Sequence, residues 1–380
     1  MVLSDENDEY IDVIFGAIFA NSLDSKPVWV YIVGPPGCGK TEILQALAGS
    51  DKIICCTSLT RHSLISGWGQ EAPKGQKDKN KDLSLLLTLD KKILVIKDFT
   101  TMLQMRYEEL HEILAQLRSA YDGVIRKKFG NRKQISEYPA KFGLLAAVTH
   151  TIEEHKPLLA ALGERFLTYR MPEITKFEKM KRTLKTMSNL QTQKQERELR
   201  NAASLILASE PKIPTITNKQ QREIAKIVQI IALARTEIKR DRKTREPEIP
   251  HPEHPTRLGK QLSDLALGIA MAREKKRVTK DEVSLVQQIA IHSISTKRIK
   301  LFEILLYQYP DWISVDKVSE ILSFSKQAVY WWFQDLLLLN LVEKRPVYRG
   351  GKFKETQEYR ILDGSMLKRI TKFNKERRRR

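Results

Sequence analysis

Residues 33–42 read Val-Gly-Pro-Pro-Gly-Cys-Gly-Lys-Thr-Glu. Gly34, Gly39, Lys40 and Thr41 fit the spacing G-x-x-x-x-G-K-[ST]. Glycines let main-chain amides close around an anion. A lysine ammonium adds compact positive charge, and a threonine hydroxyl offers an oxygen to a divalent cation. The chemistry is phosphate binding. Gly34, Pro35, Pro36, Gly37, Cys38, Gly39, Lys40, Thr41 and Glu42 are the candidate binding residues.

A phosphate site of this kind needs a carboxylate from another strand. Residues 93–96 are four apolar residues followed by Lys97 and Asp98, where the usual pattern ends in two acids. Two registers fit. Either Asp98 is the metal-side acid, with Thr41 as its partner and Phe99 where a second acid is expected. Or Lys97 takes the metal position and Asp98 stands in for the base. Asp98 is the sole acid of the site in this reading, with its role unassigned. With no carboxylate after it to orient water, turnover is expected to suffer.

Such a loop must follow a buried strand and open a helix. Residues 28–33, Val-Trp-Val-Tyr-Ile-Val, form a β-branched and aromatic run suited to a buried parallel strand. After the loop, Ile43, Leu44 and Leu47 recur at helical spacing up to Gly49. Residues 144–148 predict another buried strand, ending at Thr149.

The order of these motifs resembles the AAA+ ATPases. The resemblance implies an α/β fold: a P-loop module with a parallel sheet and an α-helical lid. It implies ATP and Mg²⁺ as ligands and assembly into a hexameric ring. Thr149 matches the strand-end sensor of the γ-phosphate. Arg165, in Gly-Glu-Arg-Phe, looks like the arginine finger extended to a neighbouring subunit. Arg257 matches the sensor arginine of the lid; Thr256 before it is expected to cap that helix, whose Leu258, Leu262, Leu265, Ile269 and Ala272 share one face. Catalytic candidates are thus Asp98, Thr149, Arg165 and Arg257.

Residues 124–141 carry six basic side chains and one acidic, around Gly130-Asn131, and read as a hairpin. It resembles the hairpin before the first sensor in the clade of minichromosome maintenance helicases, MoxR-like ATPases and bacterial enhancer-binding activators. By that resemblance Arg126, Lys127, Lys128, Arg132 and Lys133 are candidate DNA contacts. A solvated charged hairpin is the competing reading.

From residue 299 the pattern is three helices and two strands around Gly350-Gly351, a winged helix-turn-helix, with Ser314 and Ser325 as caps. Ser325, Lys326, Gln327 and Tyr330 at the start of the third helix, and Arg349, Lys352 and Lys354 on the wing, are candidate nucleic-acid contacts. Residues 364–380 carry eight basic side chains against one acidic. The expected layout is a nucleotide-binding core at 1–175, a lid at 176–298, a winged helix at 299–363 and a basic tail at 364–380.

Composition agrees with a polyanion partner. The chain has 380 residues, 41% of them hydrophobic, and a net charge of +20. Three cysteines are too few for a disulfide framework, and no apolar run reaches the length of a membrane span. The stretch MVLSDENDEY is acidic with no hydrophobic signal core, and the cysteine usage points to a reducing interior, so the expected location is cytoplasmic, or nuclear if the cell has a nucleus. His251 and His254 are loop histidines rather than metal ligands. The functional expectation is a DNA-engaging ATPase: a ring-forming motor, or a replication or recombination ATPase of a mobile element or phage. The alternatives are an ATP-gated DNA-binding switch that recruits proteins, and a MoxR-like chaperone.

Overall fold

The computed structural model describes residues 8–66, 84–128, 135–161, 163–241, 243–348, 355–362 and 364. The elements in chain order are α1 (Asp8–Ala20), β1 (Trp29–Val33), α2 (Lys40–Ala46), β2 (Ile53–Cys56), α3 (Leu86–Leu89), β3 (Ile93–Ile96), α4 (Phe99–Leu103), α5 (Tyr107–Tyr121), β4 (Val124–Lys128), β5 (Ile135–Pro139), β6 (Gly143–Val148), α6 (Lys156–Ala161) and β7 (Phe166–Arg170). Then follow α7 (Lys176–Met187), α8 (Thr192–Ala208), α9 (Asn218–Ala234), α10 (Thr256–Ala272), α11 (Lys280–His292), α12 (Thr296–Gln308), β8 (Ile313–Ser314), α13 (Val315–Leu322), α14 (Lys326–Leu338), β9 (Val342–Tyr348) and β10 (Glu355–Ile361).

The chain divides into two compact units. One holds Met1–Ile216 with Asp264–Val278, the other Thr217–Ser263 with Thr279–Arg380. The segment 176–298, expected to form a lid, is divided between them, with α7, α8 and the C-terminal half of α10 on the side of the sheet.

In the first unit a five-stranded sheet runs in the order β2-β3-β6-β1-β7, every neighbour parallel. Its strands are buried along their length at β1, β3 and β6, as continuous apolar runs require. One face is an aromatic core: the Tyr31 ring stacks on Phe166 at 3.9 Å, and Trp29 packs against Tyr121, Phe142 and Phe166. The Trp29 indole N–H donates to the Phe142 carbonyl at 2.8 Å, so that group is satisfied within the core. On the other face Tyr10 of α1 stacks on Tyr169 of β7 at 6.0 Å. Helices α1 and α10 touch through glycine: a Cβ at Gly268 would lie 2.0 Å from the Gly16 carbonyl oxygen. Arg273, just past α10, closes on Asp12 of α1 at 2.5 Å. The hairpin β4–β5 is antiparallel, pairing Val124 with Pro139 through Lys128 with Ile135.

The second unit packs α9 against α11 and carries an antiparallel sheet in the order β8-β10-β9. The expected face of α10 is buried at Leu258, Leu262, Leu265 and Ile269, while Ala272 is half-buried. Arg240 bonds Gln334 at 3.0 Å and pairs with Asp335, both on α14. Arg298 donates to the carbonyls of Ala234 and Thr236 at 2.8 and 2.5 Å. Buried Arg298 and half-buried Arg240 tie α9, α12 and α14 together. Among the described residues no helix is long and apolar enough to cross a membrane.

Candidate nucleotide site and nucleic-acid surface

The loop adopts the backbone that its glycines anticipate. Gly37 and Gly39 have φ of 73° and 91°, the left-handed region, and a Cβ at either would meet nothing within 4 Å. Gly39 precedes α2, and no side chain caps that helix start. Helix α2 begins at Lys40. Lys40 is 7% exposed, and its Nζ donates to the carbonyls of Gly34 and Pro35, both at 2.7 Å, with Cys38 Sγ at 3.5 Å. The ammonium is therefore already inside the loop. Thr41 and Glu42 are exposed in the first turn.

Strand register brings the other candidates to the same edge. Val33 pairs with Val148 and with Arg170, and Ile96 pairs with Ala146. Gly34, Thr149 and Asp98 therefore leave the sheet at one end. Hydrogen bonds continue the connection. Gly34 N donates to Val148 O at 3.2 Å, Thr149 N to Thr100 Oγ1 at 3.0 Å, and Thr100 N to Asp98 Oδ1 at 3.1 Å.

Asp98 caps α4. Its Oδ1 accepts from the amides of Thr100 and Thr101, and its Oδ2 accepts from the Thr101 hydroxyl at 2.6 Å. The Thr149 hydroxyl meets Thr100 Oγ1 at 3.3 Å and Thr151 Oγ1 at 3.0 Å. Lys97 is half-buried beside Cys55 and Cys56. Burial pushes both thiols up, Cys56 to about 11, against a smaller opposing pull from the Lys97 ammonium.

Arg165 is enclosed by its own chain. It is 8% exposed, donates to Gly163 O at 3.1 Å, lies 3.6 Å from Asp122 and sits over the Tyr121 ring. It precedes Phe166, which pairs with Trp29, so it stands at the end of the sheet opposite the glycine loop. An extended finger is not what these contacts describe. Arg257 belongs to the second unit and pairs with Glu253 at 3.2 Å; Glu253 also faces Arg235 at 3.5 Å. Thr256 is the first residue of α10 rather than its cap, and its hydroxyl bonds His254 Nδ1.

Sequence reasoning missed Tyr10 and the pair Arg170–Glu153. The Tyr10 hydroxyl donates to Lys40 O at 3.0 Å, and burial raises its pKa. Arg170 and Glu153 meet at 2.5 Å, at the loop end of β7. Counting five residues along a strand from Phe166 would have found Arg170; nothing local marks Tyr10.

The basic candidates divide. Arg126 pairs with Glu137 at 2.7 Å and Lys127 lies 3.7 Å from Glu112, so two hairpin charges are partly neutralised within the chain. Lys128 ends β4. Arg132 and Lys133, the wing residues Arg349, Lys352 and Lys354, and the tail after residue 364 lie outside the described residues. Ser325 before α14, and Lys326, Gln327 and Tyr330 on it, are all exposed, while Val329, Phe333 and Leu336 are buried. Ser314 and Ser325 cap α13 and α14 as expected. Lys326 pairs with Asp316 at 2.8 Å, which raises its pKa. Phe333 is core, stacked on Tyr359 at 4.0 Å.

The donor set suits a nucleoside triphosphate. Open glycine amides and the Lys40 ammonium fit phosphate, and the Thr41 hydroxyl and Asp98 carboxylate are the oxygens that would hold a divalent cation. Asp98 already accepts three hydrogen bonds, so its share in a metal shell is narrow. No curated protein matches the chain. Residues 30–170 match the family described as ATPase family associated with various cellular activities (AAA). That span runs from the second residue of β1 to the last of β7, and the chain thus carries there a domain similar to the AAA ATPases.

Proposed function

We propose that the chain binds and hydrolyses ATP at the loop between β1 and α2, and engages DNA through its C-terminal segment. The observation that carries the first half is the Lys40 ammonium held within a loop whose two glycines take left-handed backbone. Gly37, Gly39 and Lys40 would hold the phosphates, and Thr41 with Asp98 a Mg²⁺ ion. The cation would neutralise charge on the phosphates. Thr149, tied to Thr100 beside Asp98, would sense the outer phosphate.

The second half rests on α12, α13 and α14 followed by the β9–β10 hairpin, the order of a winged helix-turn-helix. The exposed face of α14 at Lys326, Gln327 and Tyr330 is the surface offered to a major groove. Net charge supports DNA over a protein substrate, which weighs against the chaperone reading. Ring assembly is part of this reading through the AAA likeness, though Arg165 would have to leave Asp122 and Tyr121 to serve a neighbour.

A second reading, an ATP-gated switch with slow turnover, is favoured by Asp98. Its carboxylate is committed to a helix cap, and Lys97 occupies the position before it. The test is nucleotide titration and steady-state hydrolysis, with and without duplex DNA. Lys40→Ala is expected to abolish ATP binding. Unchanged affinity would sink the site. DNA-stimulated turnover in the parent supports the motor, and binding without turnover supports the switch.

A further inference from the structure

Helix α7 has no buried residue. Its start is nevertheless firmly specified. Thr175 Oγ1 accepts from Glu178 N at 3.2 Å, and Thr175 N donates to Glu178 Oε2 at 2.7 Å, a reciprocal cap. A helix of about 12 residues is marginal in water without packing. This one presents four large apolar side chains to solvent: Phe177, Met180, Leu184 and Met187, exposed by 74, 60, 56 and 75%.

Their spacing is 3, 4 and 3. At 100° per residue the four fall within an arc of about 80°. A helix resting on a domain core or a lipid surface presents a broader apolar face, about 100° or more, whereas a stripe this narrow is the a/d seam that one other helix covers. Taking Phe177 as position a puts Lys176 at g and Lys181 at e, one lysine on each side of the seam. Lys179, Arg182 and Lys185 fill the outer face, with Glu178 the one acid within the helix.

We propose that α7 is a docking helix for an acidic amphipathic helix of a partner protein, with apolar residues at a and d and Asp or Glu at e and g. Charge complementarity selects this occupant. A second copy of α7 would set Lys176 against Lys181 across the seam, in the pairing where flanking charges decide partner choice. The apolar contact supplies attraction, and the flanking lysines supply selection.

The test uses the full chain and two labelled peptides of about three heptads, each with leucine at a and d. One carries glutamate at e and g, the other lysine. Fluorescence polarisation is expected to show the glutamate peptide binding roughly tenfold or more tighter than the lysine peptide. The double variant Met180→Ser, Leu184→Ser should lose that binding. Its side chains are exposed, so its thermal unfolding should match the parent. Lys176→Glu with Lys181→Glu should reverse the preference. Equal binding of both peptides, or a serine variant that binds like the parent, overturns the proposal. Two further arms overturn it in favour of other occupants. Phosphatidylserine–phosphatidylcholine vesicles that sediment the parent but not the serine variant would assign the stripe to lipid. A fall in oligomeric mass caused by the serine pair would assign it to copies of this chain.

Discussion

The Tyr10 hydroxyl donates to the carbonyl oxygen of Lys40 at 3.0 Å, so α1 holds the first turn of the helix that follows the glycine loop. Tyr10 is 1% exposed and stacked on Tyr169, so ring and hydroxyl are both fixed. Tyr10→Phe keeps the ring and removes the bond. The expected cost is about 1 kcal/mol, the usual net value of one such bond, read as a lower urea midpoint with unchanged slope. ATP affinity should fall with it, because the lysine backbone loses an anchor. An unchanged midpoint would show that the contact adds nothing.

Asp98 caps α4 and, in the proposed site, would also serve hydrolysis, and two substitutions divide these duties. Asparagine is as good a helix cap as aspartate, whereas alanine costs about 1 kcal/mol at such a position. Asp98→Asn should therefore melt near the parent temperature yet lose ATP hydrolysis while retaining ATP binding. Asp98→Ala should lose both stability and turnover. If Asp98→Asn hydrolyses ATP at the parent rate, the carboxylate is a cap and nothing more, and the acid of the site lies elsewhere.

The sheet was legible because its signal is local. The runs at 28–33, 93–96 and 144–148 are apolar enough to declare buried parallel strands, and the glycine spacing announced its own backbone. The caps at Ser314 and Ser325 were legible for the same reason. Partner choice was not. Arg165 looks the same in sequence whether it reaches outward or packs on Tyr121 beside Asp122. Thr256 looks like a cap until the helix begins on it. Tyr10 and Lys40 are 30 residues apart, and no periodicity encodes a contact that depends on how α1 crosses the sheet. The stripe on α7 has a helical period, but exposure alone separates it from an ordinary core face.

The cysteines report on the site by their reactivity. Burial pushes Cys56 up to about 11 and raises Cys55 also. A raised thiol pKa means less thiolate at neutral pH, so alkylation is slow there and quickens as pH climbs toward that value. At pH 8 a thiol with pKa near 11 is about one part in a thousand thiolate. Cys38 sits in the loop itself, 3.5 Å from the Lys40 ammonium. Iodoacetamide followed by peptide mass spectrometry should find Cys38 modified first at pH 8, ATP protecting it, and Cys56 rising about tenfold per pH unit up to pH 10. Protection of Cys56 with none at Cys38 would move the nucleotide away from the loop.

The proposed DNA binding would have two parts that respond differently. Lys326 and Gln327 are exposed on the first turn of α14, where side chains of a third helix meet base edges. Lys326 is held by Asp316 at 2.8 Å, so to contact DNA its ammonium would have to exchange that partner for a base or phosphate. Because both side chains are exposed, Lys326→Ala and Gln327→Ala should leave thermal unfolding unchanged. At a selected duplex each lost base contact should weaken binding roughly tenfold or more, and at random sequence hardly at all. The tail is different. Arg377, Arg378, Arg379 and Arg380 close a segment rich in positive charge and poor in apolar residues, which would contact phosphates without reading sequence. Truncation after residue 364 should weaken binding to every duplex alike. It should also reduce the slope of log affinity against log salt by about 0.9 for each phosphate contact removed. A titration of parent, truncation and α14 variants across a salt series separates the two. If truncation leaves the slope unchanged and the α14 variants bind like the parent, the terminal segment binds protein, and contact with DNA falls to the β4–β5 hairpin.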